Sequence, residues 1–284
     1  MKAVITGASG GIGAAIAERL VREGTTTTLV GRNHERLTNA ARRIEAAVPG
    51  ADLQLEVADL ELMADVRRLA DRLAEEPPDV AISNAAVVAP IDAVTSEGLQ
   101  RTLATNHLAP YLLFRTLAET DHPARFIVVG ASPTALSRVP VDLDRLDSRD
   151  GLGPVPSFRP FAAYGRTKNM NAMFVYALAR RLAGTAITVN GAHPGIIRDT
   201  GLGREARGLL KVSARILDQF RPGPEVGADT PAWLATSAEV AATTGKFFVK
   251  RKAVPTAPHT TDESRCDRLW EESARLVGLP ITTR

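Results

Sequence analysis

The chain has 284 residues, 44% apolar and 24% charged, with a formal net charge of +3. That length suits one large α/β domain whose core needs no staples, and a single cysteine, Cys266, excludes an intramolecular disulfide and fits a reducing compartment. No basic block exceeds Lys250-Arg251-Lys252 and no apolar run approaches a membrane span, so neither a nucleic-acid partner nor a transmembrane segment is expected. Met1-Lys2 leads straight into an apolar run, so a cytoplasmic chain without a targeting segment is the expectation.

Residues 2–22 open on that run, through Val4-Ile5, which has no helical period and reads as a buried strand. Thr6-Gly7-Ala8-Ser9-Gly10-Gly11-Ile12-Gly13 follows as a glycine-dense turn, and Ile12, Ile16 and Leu20 then mark one face of a helix. Strand, glycine turn and helix in that order predict a phosphate site. Glycine lets the backbone approach a pyrophosphate, and the helix N-terminus offers unpaired N–H groups. A purely structural β–α turn is the other reading. TGASGGIG resembles the TGxxxGxG loop of the short-chain dehydrogenase/reductase family, with Gly7, Gly11 and Gly13 as its fixed glycines. The resemblance implies that Ser9, Gly10 and Ile12 share this cofactor-binding turn.

Residues 25–30, TTTTLV, are β-branched and predict a second strand closed by Gly31-Arg32-Asn33. An acid at this point would bond a ribose 2′-hydroxyl, whereas an arginine accommodates a 2′-phosphate. Arg32 and the missing acid therefore predict NADP(H) over NAD(H), with a solvated turn arginine as the alternative; VGR also resembles NADP(H)-preferring members of the family. Residues 35–48 read as a helix ended by Pro49-Gly50, and Leu53, Leu55 and Val57 alternate as a third strand. Ala58-Asp59-Leu60 resembles the family's Asp-Leu pair, whose aspartate lies against the adenine. Asp59 is equally a candidate N-cap for a helix over 61–73.

Residues 80–83 predict a fourth strand after Pro77-Pro78-Asp79. Asn84-Ala85-Ala86 resembles the family's Asn-Ala-Gly turn, with Ala86 in place of a glycine, which would strain if φ were positive. A long helix including 103–117 carries Asn106, which resembles the family's helix asparagine and is expected to support a proton-relay water; a buried asparagine satisfying backbone is the alternative. His107 reads as a packing residue. Residues 125–130, RFIVVG, predict the fifth strand. In this register the family's catalytic serine falls on Ala131, and Ser132 follows one residue later. A local bulge, with the freedom of Gly130, is expected to bring Ser132 into the role. Residues 132–160 predict an extended active-site loop with Asp142-Leu143-Asp144 as a short exposed turn. A long insertion here resembles the retinol dehydrogenase-like branch.

A helix over 162–183 places Tyr164 and Lys168 on one face, and YGRTK matches the family's YxxxK. Residues 186–192 predict the sixth strand, ended by His193-Pro194-Gly195. HPGIIRDT resembles the PGxxxT segment that cups the nicotinamide carboxamide, which implies roles for Pro194, Gly195 and Ile197; Thr200 stands one position late. His193 reads as structural. The amphipathic piece within 201–224 predicts a mobile lid, and its apolar face a partly apolar substrate. A helix over 228–240, a last strand over 245–249 and a C-terminal helix over 262–278 complete the chain; the tail again resembles the retinol dehydrogenase-like branch.

Strands alternating with helices predict a parallel sheet covered on both faces. The resemblance implies an α/β fold: one Rossmann-type doubly wound domain over 1–284, seven strands in the order 3-2-1-4-5-6-7, with insertions 132–160 and 200–225 on the substrate side. It further implies an NADP(H)-dependent oxidoreductase interconverting a carbonyl and a secondary alcohol on a small molecule. Tyr164 would be the acid/base, Lys168 would lower its pKa and hold the ribose, Asn106 would hold a water, and Ser132 would bond the substrate oxygen. No metal is expected. Two alternatives stay open: a C=C or C=N reductase on the same scaffold, and a non-catalytic NADP(H)-binding sensor. Homodimer and monomer also both stay open.

Overall fold

The computed structural model describes residues 1–132, 140–195, 197 and 222–282. Its centre is β1 (Lys2–Thr6), whose last four residues are all buried, as a parallel strand covered on both faces requires. It pairs in parallel with β2 (Thr26–Gly31) on one side and β4 (Val80–Ser83) on the other. Outward from these lie β3 (Leu53–Val57), then β5 (Ala124–Val129), β6 (Ile187–His193), β7 (Lys246–Val249) and β8 (Lys252–Val254), in the order β3-β2-β1-β4-β5-β6-β7-β8.

Period-two alternation sends successive strand residues to opposite layers. Ile5, Leu29, Ile82 and Ile127 pack under α1 (Gly11–Arg22) and α2 (His34–Ala47). Val4, Val30, Ala81 and Phe126 pack against α3 (Met63–Glu75) and the helices that follow β4. The predicted stripe of α1 is the buried one: Ile16 and Leu20 are fully enclosed, each contributing about 2 kcal/mol relative to exposure.

The sheet has eight strands where seven were expected. β8 is short and antiparallel to β7, joined through Lys250 and Arg251, both with positive φ (50° and 61°). Such two-residue hairpins normally announce themselves by Asn-Gly or Asp-Gly, and Lys-Arg gives no such signal. Arg251 is held there from outside, donating to both carboxylate oxygens of Asp229 at 2.8 and 2.5 Å.

The long helix after β4 is interrupted. Arg101–Leu103 (α4) leads into one π-helical turn, Ala104–Leu108, before α5 (Ala109–Ala118). Pro110 has no N–H to offer the Asn106 carbonyl four residues back. The Asn171 side chain donates to that carbonyl instead, at 2.9 Å.

The described part of the 132–160 insertion is packed rather than extended. Val141, Leu143, Leu146 and Leu152 are buried. Arg166, in α6 (Arg159–Arg181), donates to the carbonyls of Ser148 (2.6 Å) and Asp150. The lid expected within 201–224 lies almost wholly outside the described residues. Pro224–Gly227 (α7) and Asp229–Thr236 (α8) follow it. After β8 come Pro258–Thr261 (α9) and Glu263–Val277 (α10). Asp262 caps α10 by accepting from the Arg265 N–H at 2.9 Å, and Gly278 ends it in the left-handed region. Leu269 and Trp270 of α10 are buried in the layer that holds α6.

Candidate active site

A cavity of about 250 Å³ runs across the C-terminal ends of the strands. Gly7, Ser9, Gly10, Gly11 and Ile12 form one wall. Gly7 has φ +68°, and a Cβ there would stand 2.8 Å from the Ala85 backbone. Gly13 is off the wall; a Cβ on it would meet the Gly7 carbonyl at 2.5 Å and Asn84 Nδ2 at 2.6 Å. Its role is to let α1 close onto the turn after β4. Asn84 Nδ2 donates to the Thr6 carbonyl at 3.0 Å, and Thr6 Oγ1 accepts from the backbone N–H groups of Asn84 (3.0 Å) and Ala85 (3.2 Å). Thr6 thus ties the two turns together. α1 follows Gly10 as its N-cap, with no side-chain cap and no acid in its first turn. Its free N–H groups and positive dipole end suit an anion.

Asn84, Ala85 and Ala86 line the opposite wall. Among the described non-glycine residues only Asp121, Lys250 and Arg251 have positive φ, so Ala86 carries none of the anticipated strain. Asp59 and Leu60 also line the cavity. Asp59 is not the N-cap of α3: its Oδ1 accepts from the Glu61 N–H at 3.1 Å, while Glu97 accepts from the Met63 and Ala64 N–H groups at 2.6 and 3.0 Å. Arg32, Arg36 and Glu61 meet at this end of the cavity. Arg32 Nη1 lies 3.0 Å from Glu61 Oε1, and Arg101 binds the same carboxylate through Nε (2.8 Å) and Nη2 (2.6 Å).

Tyr164 and Lys168 project from one face of α6 into the other end, beside Val129 and Gly130. Lys168 is buried and its Nζ donates to the Val129 carbonyl at 2.9 Å. Burial pulls the Lys168 ammonium down to about 8 and pushes the Tyr164 phenol up to about 12. Burial alone accounts for the upward shift of the phenol.

Asn106 is not on the wall. Its Oδ1 accepts from the Val87 N–H at 2.8 Å, and its Nδ2 donates to the Val87 carbonyl (3.0 Å) and Thr167 Oγ1 (3.1 Å). Thr167 in turn donates to the Tyr164 carbonyl at 2.8 Å. The side chain therefore fixes the loop after β4 to α6. Ser132 and Ala131 are partly buried and also stand off the wall. Gly130 is pinned: its N–H donates to the Ala192 carbonyl at 2.8 Å, and a Cβ on it would strike the Phe247 ring at 2.7 Å. Glycine at 130 makes room for Phe247 rather than freeing the backbone.

Pro194 lines the cavity, whereas Gly195 (φ +90°) and Ile197 do not. Ile197 is buried in the core, at the place where a Cβ on Gly227 would meet it at 2.8 Å. Asp199 and Thr200 lie outside the described residues. His107 is wholly buried between Asn171 Oδ1 (3.3 Å) and Ser273 Oγ (2.8 Å), and burial takes it down to about 4. Among the described residues no cluster of His, Cys, Asp or Glu could hold a metal, and no helix is long and apolar enough to cross a membrane.

The short chain dehydrogenase family profile matches residues 1–141. The chain is 33% identical to retinol dehydrogenase 14 of Mus musculus, over 97% of this chain and 85% of that protein. A short chain dehydrogenase from Burkholderia cenocepacia J2315, solved in complex with NADP, superposes with a TM-score of 0.64 at 25% identity, covering 87% of this chain and 94% of that one. The promiscuous reductase LugOII, which catalyses keto-reduction at C1 during lugdunomycin biosynthesis, gives a TM-score of 0.61 at 27% identity over 87% and 94%.

Proposed function

The chain belongs to the short-chain dehydrogenase/reductase family, and from that premise we propose that it is an NADP(H)-dependent reductase of a partly apolar carbonyl compound. The observation that carries the reading is the placement of Tyr164 and Lys168, one helical turn apart, on the wall of the cavity that begins at the glycine turn. The residues present fit the cofactor. The uncapped, acid-free start of α1 suits its pyrophosphate, and Arg32 and Arg36 suit a 2′-phosphate. When bound, NADPH supplies the hydride at the substrate carbonyl carbon.

The proton comes from the chain. The Tyr164 phenol, protonated at neutral pH, gives its proton to the carbonyl oxygen and a secondary alcohol results. Lys168, an ammonium at neutral pH, stabilises the phenolate left behind. The name of the retinol dehydrogenase relative and the keto-reduction of the structural neighbour support an apolar alcohol or ketone as the substrate class.

Reduction of a C=C or C=N bond is a second reading. It draws on the register at the end of β5, which puts Ala131 where the family carries a serine, with Ser132 one residue later and not part of the cavity lining. Incubation with NADPH and a panel of apolar ketones, enones and imines separates the cases. Alcohol formed mole for mole with NADP⁺ supports the proposal. Saturated ketone or amine shifts it to the second reading, and tight NADPH binding with no turnover on any compound leaves a sensor.

A further inference from the structure

Glu61 is shared by two arginines that differ in how they hold it. Arg101 comes from 40 positions further along the chain and grips both oxygens, Nε to Oε2 at 2.8 Å and Nη2 to Oε1 at 2.6 Å. Arg32 reaches only Oε1, through Nη1 at 3.0 Å. The Arg101 side chain is 22% exposed and that of Arg32 54%, against 14% for Glu61. A forked, sheltered pair persists, whereas a single bond from an exposed arginine is readily exchanged. Glu61, Arg32 and Arg36 line the cavity, and Arg101 is not part of its lining.

We infer that Arg101 is a positioning residue for cofactor choice. By balancing Glu61 it leaves Arg32 available to a 2′-phosphate. It also stops an acid on the cavity wall from selecting a ribose 2′-hydroxyl, the choice an unbalanced carboxylate makes. Without Arg101, Glu61 would hold Arg32 for itself and repel the phosphate. The inference rests on the NADP(H) reading of the proposed function.

The test is titration of NADPH and NADH, followed by protein fluorescence, into wild type, Arg101→Met, Glu61→Gln and the double variant. Arg101→Met should weaken NADPH by about tenfold or more while NADH stays within about twofold. The double variant should restore the wild-type NADPH:NADH ratio, because the charge that Arg101 balances is gone. Competition by 2′,5′-ADP against 5′-AMP should move in the same sense, which isolates the phosphate. An unmoved ratio in Arg101→Met, an equal loss of both nucleotides, or a double variant no better than Arg101→Met overturns the inference. Should Arg101→Met fail to fold by circular dichroism, Glu61→Gln alone decides: a kept or raised NADPH preference supports the inference and a fall overturns it. Equal wild-type affinities for NADPH and NADH sink the cofactor reading and the inference together. A wild type that prefers NADPH, with an unmoved ratio in Arg101→Met, sinks the inference alone.

Discussion

Lys168 donates its ammonium to the carbonyl of Val129, the last residue of β5, at 2.9 Å, with its Nζ 5.5 Å from the centroid of the Tyr164 ring. The strand end and the helix are thereby locked together at the cavity, and the cation is buried with a carbonyl partner. Burial brings its pKa down to about 8 from 10.5, so the charge is lost within the stable range of most proteins. We predict that NADPH affinity weakens as pH rises through about 8 and that Lys168→Met removes this bend. A 2′-phosphate is already ionised there, with its second pKa near about 6. Unfolding cannot mimic the bend. Between about 8 and 10.5 the unfolded chain binds the extra proton, so this lysine makes the native state more stable as pH rises. Dissociation constants measured across this window check it; a flat wild-type profile counts against a role for the Lys168 charge in binding.

Tyr164→Phe removes only the phenol oxygen. It should keep NADPH affinity within about twofold and lower turnover by about 10²-fold or more, the usual worth of a positioned acid. Lys168→Ala should weaken both, since the ammonium faces the cavity and also fixes the end of β5. Wild-type carbonyl reduction by the phenylalanine variant would remove Tyr164 from the chemistry.

Arg32→Ala should weaken NADPH by about tenfold or more and leave NADH nearly unchanged, because the arginine is an exposed charge that a neutral ribose hydroxyl does not need. Paired titrations check this, and an equal fall for both nucleotides would place Arg32 in general anion binding.

Local signals carried much of this molecule. Gly7, Tyr164 and Lys168 stand where short-range spacing put them, because a βα turn and a single helical turn are each set by a few residues. The strand order followed from the family resemblance, with the eighth strand hidden by its Lys-Arg hairpin. The features that escaped are contacts between distant segments. Nothing in the local sequence pairs Glu61 with Arg101, caps α3 with Glu97, or clamps Ser148 with Arg166. Its resemblance to the family's helix asparagine points Asn106 at the chemistry. Asn171, which donates to the Asn106 carbonyl in the π-turn, becomes visible as its partner only when α6 is packed against that turn.

His107 supplies a pH dependence of stability. Its pKa falls to about 4 in the folded chain from 6.5, through burial. As pH drops from 6.5 to about 4 the unfolded chain takes up a proton that the native state refuses. Stability is therefore lost across that window, by about 3 kcal/mol in all. Urea unfolding midpoints between these limits should show a shallower acid slope in His107→Asn than in wild type, even though the variant is weaker at neutrality. Parallel slopes would assign the acid sensitivity to other groups.

The end of β5 holds the last prediction. Gly130 is fixed by its bond to the Ala192 carbonyl and by the Phe247 ring packed where its Cβ would be. The position of residue 130 is therefore set by its neighbours and not by glycine's conformational freedom. Neither Ala131 nor Ser132 lines the cavity, whereas Val129 and Gly130 do. The serine register of the family falls on Ala131 and Ser132 is not part of the cavity lining, so Ser132→Ala should lower turnover by less than about tenfold, well short of the loss of an oxyanion donor. NADPH affinity should be unchanged. Ala131→Ser is the complementary variant, since it puts a hydroxyl at the register where the family carries one. If the natural substrate is a ketone, this variant should raise carbonyl turnover by about tenfold. Turnover of wild type and both variants on one ketone, with NADPH binding as the control, decides the matter. A loss of about 10²-fold in Ser132→Ala would mean that its hydroxyl reaches the substrate after all, and that the 131–132 turn rearranges when cofactor and ketone bind.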